Sequence, residues 1–149
     1  MRSEVDEQRV LLLSLKPAYA EAILAGRKTV ELRRSRPRLS APTRALLYAS
    51  GPEMSLVGIC TVTEVFEQAL AELWRTVRRH ADVKRGVFDE YFQGCTTGSG
   101  LRLTDPERLL RKVPLAQLRH AAAGFHPPQS YRYLPATSAP VLFTGMTFD

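Results

Sequence analysis

Cysteine is scarce in this sequence and long apolar runs are missing. The 149 residues include two cysteines, Cys60 and Cys95. No apolar run approaches the length of about 18 residues that a membrane-spanning helix needs. Two thiols far apart do not make a disulfide framework, which fits a reducing compartment. The first residues are polar, of mixed charge, and lack the apolar core of a signal peptide. We therefore expect a cytoplasmic protein that does not enter a membrane, with residues 1–8 forming a polar tail.

Several motifs of common enzyme classes are also missing. The sequence has no phosphate-cradling G-x-x-x-x-G-K-[ST], no G-x-G-x-x-G and no G-x-S-x-G, so nucleoside triphosphatases, dinucleotide enzymes and serine hydrolases receive no support. The three histidines, His80, His120 and His126, share no metal-ligand spacing with one another or with the cysteines. We predict no metal site and no cofactor.

The apolar pattern of the first half predicts strands joined by short turns and one helix. Pro17 suits the first position of that helix, and Gly26 suits its left-handed end near Ala25. Gly58 is predicted to mark a bulge. Strands are predicted over residues 9–15, 28–33, 43–49 and 56–65.

The second half changes to helical spacing. Helices are predicted over residues 70–77, 82–92 and 114–123, and the second of these has Val83, Val87, Phe88 and Tyr91 facing inward. Residues 94–100 are predicted to form a flexible loop and 101–103 a short strand, and irregular backbone is predicted at Pro127, Pro128 and Pro135. Residues 136–149 are predicted to form a tail or, over 141–148, a last strand. The chain 1–149 is thus predicted to be one α+β domain, a curved mixed sheet or small β-barrel flanked by helices.

Positive charge is concentrated in one segment. Residues 27–44 contain one acid, Glu31, and seven basic residues, and so account for the whole net charge of +6. The seven are Arg27, Lys28, Arg33, Arg34, Arg36, Arg38 and Arg44. This segment is either a binding surface for a polyanion or a solvated arginine-rich loop. A second basic face, either binding or solvated, is predicted on the helices and comprises Arg75, Arg78, Arg79, Lys84 and Arg85.

Two segments of the first half together resemble a known family. Ser14-Leu-Lys-Pro17, a short helix, Gly26-Arg-Lys-Thr-Val-Glu-Leu-Arg33 and a strand ending near Tyr48-Ala-Ser50 resemble the ASCH domain, a relative of the PUA domains. Tyr91-Phe-Gln-Gly94 and the run from Pro127 to Leu134 are similar to its distal part. The resemblance implies a small β-barrel with a cleft for RNA or a nucleotide-like ligand. Its members include nucleic-acid-binding proteins, ribonucleases and an acetylcytidine amidohydrolase.

The motif residues suit such a cleft. Glu31 and Arg33 lie on one face of their strand and can pair, while Lys28 and Arg33 can hold a phosphate. Alternatively, Glu31 and Arg33 form only a salt bridge. The predicted nucleic-acid-binding residues are Lys16, Lys28, Glu31, Arg33, Arg34, Arg36, Ser50, Gln129, Ser130, Tyr131 and Arg132.

The segment 128–133 is the second half of the predicted pocket. Gln129 and Ser130 are suited to the edge of a base, and Tyr131, Arg132 or Tyr133 to stacking on it. In the alternative interpretation both tyrosines fill the core, and Arg132 pairs with Glu31 or Glu64.

An enzyme in the same cleft is the alternative to simple binding. Lys28, Glu31 and Arg33 are the candidate catalytic residues of a metal-independent ribonuclease. The resemblance also implies an amidohydrolase acting on a modified nucleoside, with the motif lysine, a threonine three positions later and a distant glutamate. Lys28 matches the lysine, but Glu31 stands in place of the threonine, Thr29 faces the other way, and Glu64 and Glu72 compete as the distant acid.

The favoured function is therefore binding of RNA or single-stranded nucleic acid, or of a nucleotide-like small molecule, and the alternative is hydrolysis. A third possibility is a non-catalytic regulatory domain whose basic segment meets an acidic protein. The apolar segment 141–148 is suited to pairing with another subunit and predicts a homodimer.

Overall fold

The computed structural model describes residues 10–134, which form six strands and four helices. The strands are β1 (Val10–Leu15), β2 (Val30–Arg33), β3 (Thr43–Ala49), β4 (Ser55–Ala69), β5 (Thr97–Pro114) and β6 (Tyr131–Leu134). The helices are α1 (Pro17–Leu24), α2 (Leu70–Val77), α3 (Arg85–Tyr91) and α4 (Leu115–Ala121). The predicted tails, 1–8 and 136–149, and the predicted strand 141–148 lie outside the described residues. No helix within residues 10–134 has both the length and the apolar character needed to span a bilayer.

The strands form one mixed sheet in the order β2-β5-β4-β3-β1-β6. β1 and β3 are parallel, and the other neighbours are antiparallel. The predicted curved mixed sheet is confirmed, but the predicted small barrel is wrong, because β2 and β6 form no backbone ladder within residues 10–134. The side chain of Arg33 at the end of β2 instead reaches Ser130, which precedes β6, at 2.7 Å. A side chain therefore spans the gap that a closed barrel would fill with backbone hydrogen bonds.

Proline and glycine bound α1 as predicted. Pro17 occupies the first turn, where its missing N–H costs no hydrogen bond. Gly26 has a φ of +82°, a left-handed conformation that glycine adopts without steric penalty. The chain then turns back, and the Lys28 amide donates to the Ala22 carbonyl at 3.1 Å. This turn delivers Lys28 to the start of β2.

Glycines also shape the two long strands. The predicted bulge at Gly58 is confirmed by a shift of register between Leu56 and Gly58. The predicted loop 94–100 is wrong over its second half, because β5 already begins at Thr97. Gly98 and Gly100 are small for a packing reason: a Cβ on Gly98 would meet the Phe92 ring, and one on Gly100 would meet the Phe66 ring. The predicted irregular backbone at Pro127 and Pro128 is confirmed, and Pro135 lies outside the described residues. Residues 131–134 form β6, a strand that the sequence did not predict.

The core has three parts. One face of the sheet packs against α4, and the other packs against α1 through residues such as Leu13, Ile23 and Leu47. Cys60 belongs to this second part; burial raises the pKa of its thiol to about 12, as expected of an unreactive core cysteine. In the third part, α2 and α3 pack against β2. This third part fixes α3 beside Lys28, Glu31 and Arg33.

Candidate functional site

A cavity of about 450 Å³ opens where the two edges of the sheet approach each other. The parallel strands β1 and β3 end at its floor, where the Ser50 amide donates to the Leu15 carbonyl at 2.8 Å. Helices α1 and α3 and the loop before β6 form its walls. Seven predicted site residues line it: Lys16, Lys28, Glu31, Arg33, Ser50, Gln129 and Ser130. The sequence therefore brings the two quoted motifs and the segment 128–130 to one place.

Lys28 is a buried cation with three partners. Its side chain is 1% exposed, and Nζ donates a hydrogen bond of 2.6 Å to the Ala81 carbonyl. The same Nζ lies 3.7 Å from Glu31 Oε1 and 4.7 Å from the centre of the Tyr19 ring. Burial lowers the pKa of Lys28, while the negative charge of Glu31 acts in the opposite direction. The lysine therefore gives up its proton more easily than a lysine in water.

Glu31 is the anion that joins the two buried cations. Its Oε2 accepts a hydrogen bond from Arg33 Nη2 at 3.1 Å, and its Oε1 accepts one from the Leu32 amide at 3.0 Å. The residue is 4% exposed. Because a carboxylate between two cations is far easier to bury than an isolated one, Glu31 explains why Lys28 and Arg33 can lie so deep.

Arg33 connects β2 to the opposite edge of the sheet. Its Nη1 donates to Ser130 Oγ at 2.7 Å, and its Nη2 also donates to the Ser14 carbonyl at 3.2 Å. Its Nε is buried and makes no hydrogen bond within residues 10–134. The predicted pairing of Glu31 with Arg33 is thus present, but within a buried network rather than as an isolated salt bridge, since Arg33 also contacts Ser14 and Ser130.

An apolar wall faces this network. Val83, Val87, Phe88 and Tyr91, which were predicted to face inward, all line the cavity. Phe88 is also buried in the core, as predicted, but Val87 and Tyr91 are 45% and 40% exposed. The Tyr91 hydroxyl donates to the Leu32 carbonyl at 3.3 Å, which fixes the ring at the mouth, and burial raises the pKa of this phenol. The sequence did contain a signal for this wall, since the short helix α3 has apolar residues on two adjacent faces. Phe88 alone is buried on the core side, which leaves Val87 and Tyr91 for the cavity.

Two predicted arginines lie outside the cavity. Arg34 and Arg36 are exposed, and they donate to the Gln93 carbonyl at 3.2 Å and to the Val65 carbonyl at 3.5 Å. The basic segment 27–44 is thus divided. Lys28 and Arg33 are buried in the cavity. Arg27 lies at the surface, 3.8 Å from Asp82.

The predicted stacking residues also lie elsewhere. Tyr131 and Tyr133 pack against the core on the α1 side of the sheet, as the alternative interpretation required. Arg132 does not enter the cavity but lies over the Phe125 ring at 5.4 Å, and its predicted pairing with Glu31 or Glu64 is wrong. Alternation explains this, since Tyr131 and Tyr133 share one face of β6 and Arg132 takes the other.

The arrangement suits an anion with an attached flat apolar group. Lys28, Glu31 and Arg33 together carry one net positive charge at a partly desolvated surface, where a charge-assisted hydrogen bond is strong. Neither Thr29 nor the candidate acids Glu64 and Glu72 line the cavity. Within residues 10–134, no group of three His, Cys, Asp or Glu side chains is arranged to hold a metal ion.

Comparisons with known proteins identify the family and the fold. The ASCH domain model matches residues 13–108. A relative from Zymomonas mobilis named ASCH domain-containing ribonuclease is 30% identical over 132 residues, which are 89% of this chain and 88% of the relative. The crystal structure of ASCH from Zymomonas mobilis matches with a TM-score of 0.88 and 29% identity, over 94% of this chain and 97% of that one.

A more distant match shares the fold alone. The structure of the human THYN1 protein in complex with 5-methylcytosine containing DNA has a TM-score of 0.53 and 14% identity, over 89% of this chain and 95% of that one. The mixed six-stranded sheet with four flanking helices matches the PUA-like fold of the ASCH structures, although it is not closed into the barrel that the first motifs implied. Because the family model covers more than half of the sequence, the chain belongs to the ASCH domain family.

Proposed function

We propose that the protein binds RNA or another single-stranded nucleic acid by taking one nucleotide into the cavity. The observation that supports this most directly is the buried network of Lys28, Glu31 and Arg33 opposite an apolar wall. A nucleotide has the same two-sided character, with an anionic phosphate at one end and a flat base at the other. The cavity volume, about 450 Å³, lies within the range of roughly 300–1,000 Å³ that is usual for small-ligand sites.

The phosphate is assigned to the charged side of the cavity. Arg33 presents a planar guanidinium with five donors, and its buried Nε makes no hydrogen bond within residues 10–134. Lys28 adds a second cation, and Lys16 lies at the mouth. Arg34 and Arg36, on the exposed surface nearby in sequence, are proposed to contact the backbone beyond the cavity, where they add affinity without base selectivity.

The base is assigned to the apolar wall. Tyr91 and Val87 present exposed apolar surface, and an aromatic ring is a common platform for an unpaired base. Gln129 and Ser130 stand on the loop before β6 and offer an amide and a hydroxyl to the edge of that base. These two side chains are the proposed source of any base preference.

A salt titration of a labelled single-stranded oligouridylate tests the binding proposal. The logarithm of the affinity should fall as the logarithm of the salt concentration rises. The slope should be about −1.4, the value for two phosphate contacts, or steeper. Arg33→Lys keeps the charge but loses the fork, and should weaken binding roughly tenfold or more. Arg44→Lys, an exposed control on β3, should change nothing. Absence of binding at low salt, or equal affinity of both variants, contradicts the proposal.

A second candidate function is cleavage of the bound RNA, favoured by the name of the Zymomonas mobilis relative. In this reaction the ribose 2′-hydroxyl attacks the adjacent phosphorus, and the bond from phosphorus to the 5′-oxygen breaks. Glu31 accepts the proton of the hydroxyl, and Lys28 donates a proton to the leaving oxygen. The proton then passes from Glu31 to Lys28 across their 3.7 Å contact, which restores both groups. Arg33 stabilises the charge on the pentavalent phosphate.

The products and a matched substrate distinguish cleavage from binding. Incubation with RNA should yield a cyclic phosphate and a free 5′-hydroxyl, with or without a chelator. The same RNA with 2′-O-methyl groups should bind and remain intact. Lys28→Met should lose turnover, and Arg44→Lys, at an exposed position on β3 outside the cavity, should keep it. Turnover of equal rate in Lys28→Met would show a contaminating nuclease and refute the enzyme proposal.

The predicted homodimer and the cytoplasmic location are further proposals. The homodimer depends on the segment 141–148, which lies outside the described residues. Sedimentation of a chain that ends at Pro140 tests the homodimer. If the shortened chain and the full chain sediment with the same number of subunits, the homodimer proposal is contradicted.

A further inference from the structure

The second basic face predicted from the sequence is divided by the structure into paired and unpaired cations. Arg85 forms an ion pair of 3.0 Å with Asp89 and lies 5.3 Å from the centre of the Trp74 ring. Arg75, Arg78 and Arg79 are exposed and make no ion pair within residues 10–134. Together with Thr76 and His80 they border a separate surface hollow of about 380 Å³. We call Arg75, Arg78, Arg79 and His80 the α2 patch.

We infer that the α2 patch is a second nucleic-acid site, which binds backbone phosphates of the strand whose nucleotide occupies the cavity. This inference rests on the proposed function. It assigns to the patch a class of ligand, the phosphodiester groups of a single strand, and a role next to the cavity, whose lining residue Val83 follows His80 by three positions.

The charge arrangement of the patch supports this assignment. Arg75 lies in the last turn of α2, Arg78 caps the helix and Arg79 follows it, so three exposed cations gather at the end of the helix. The helix dipole favours positive charge at this end. Among residues 10–134 no acid forms an ion pair with the patch: Asp82 pairs with Arg27 at 3.8 Å, and the Glu72 carboxylate accepts from the Gln68 amide at 3.5 Å.

The chain connects the patch to the cavity over a very short distance. The His80 carbonyl accepts the Thr29 and Val30 amides at 2.7 and 3.0 Å, and the next carbonyl, that of Ala81, holds the Lys28 amine. Val83 then lines the cavity. The three residue steps from His80 to Val83 span at most about 11 Å. Even at the spacing within one strand of duplex DNA, a phosphate about every 3.4 Å along the axis, a few nucleotides cover that distance.

The experiment compares two double variants that remove equal charge. Arg78→Gln with Arg79→Gln removes two cations of the patch. Arg44→Gln with Arg111→Gln removes two exposed cations that line neither hollow. Salt titrations use a labelled oligouridylate long enough to reach both sites, and a uridine mononucleotide serves as the probe of the cavity alone.

We expect the patch variant to bind the oligouridylate with a salt slope shallower by about 1.4, the contribution of two phosphate contacts on a single strand. Its affinity for the mononucleotide should stay at the wild-type value, and its melting temperature should be unchanged or higher. The control variant should keep the wild-type slope.

Two results overturn the inference alone: an unchanged slope in the patch variant, or an equal change in the control variant, while the wild type binds. Failure of the wild-type protein to bind the oligouridylate at all overturns the proposed function instead, and the inference with it.

Discussion

Replacement of Glu31 by glutamine should be among the most damaging conservative substitutions in the protein. Glu31 is buried and lies between Lys28 Nζ at 3.7 Å and Arg33 Nη2 at 3.1 Å. Glutamine keeps the shape but removes the charge, and it leaves two buried cations without the anion that joins them. Removal of one partner of a buried ionic group costs about 3–5 kcal/mol.

The magnitude is large relative to the stability of a domain. Typical free energies of unfolding are about 5–15 kcal/mol, so Glu31→Gln should remove about a fifth or more of the total. At roughly 2–4 °C for each kcal/mol at this chain length, the melting temperature should fall by about 10 °C.

Lys28→Met should cost less, about 1–3 kcal/mol, because Glu31 keeps Arg33 and the main loss is the partner of the Ala81 carbonyl. The double variant should cost less than the sum of the two, since the residues are in contact.

Urea unfolding followed by circular dichroism measures these differences. Glu64→Gln is the matched control, because Glu64 pairs with Arg102 at 3.2 Å at the surface, where such pairs contribute less than about 1 kcal/mol. If Glu31→Gln is as mild as Glu64→Gln, or if the effects of Glu31→Gln and Lys28→Met add without interaction, the three side chains are not the electrostatic unit described above.

Three further outcomes are expected. The folded-state pKa of Lys28 is lowered below its ordinary value of 10.5. Between these two pKa values the unfolded chain therefore binds more protons than the folded chain. The free energy of unfolding should rise with pH across that window in the wild type but not in Lys28→Met. Tyr91→Ala should weaken oligouridylate binding by about 1–3 kcal/mol through lost stacking, whereas Tyr91→Phe should keep it; equal loss in both would contradict a stacking role. Gly58→Ala should lower the melting temperature strongly, because the new Cβ would lie 2.6 Å from the Glu107 carbonyl oxygen, and a wild-type melting curve would refute the bulge geometry.

The parts of the fold that depend on local backbone chemistry were predictable from the sequence. Pro17 and Gly26 bound α1 where predicted, because each residue restricts or permits particular dihedral angles. The start of β5 was not predictable, since Gly98 and Gly100 favour a loop until Phe92 and Phe66 are known to pack over them. That packing joins segments distant along the chain, and no local pattern encodes it.

The candidate site was likewise predictable where local alternation along a strand decides, and not where the start of a strand or the packing of a helix decides. The alternation of Glu31 and Arg33 along β2 placed both side chains on one face, and the structure brings them together. Tyr131 and Arg132 were predicted beside Ser130 but lie away from the cavity, because β6 begins at Tyr131 and alternation then governs which way each side chain points. Tyr91 was assigned to the core because apolar spacing alone does not distinguish a buried helix face from one that lines a cavity.

A crystal structure with a short single-stranded RNA tests the central claim most directly. The account predicts a phosphate within hydrogen-bond distance of the Arg33 guanidinium and near Lys28 Nζ, with the attached base against Tyr91. RNA bound to another surface, with no nucleotide between α3 and the Lys28, Glu31 and Arg33 side chains, would contradict it.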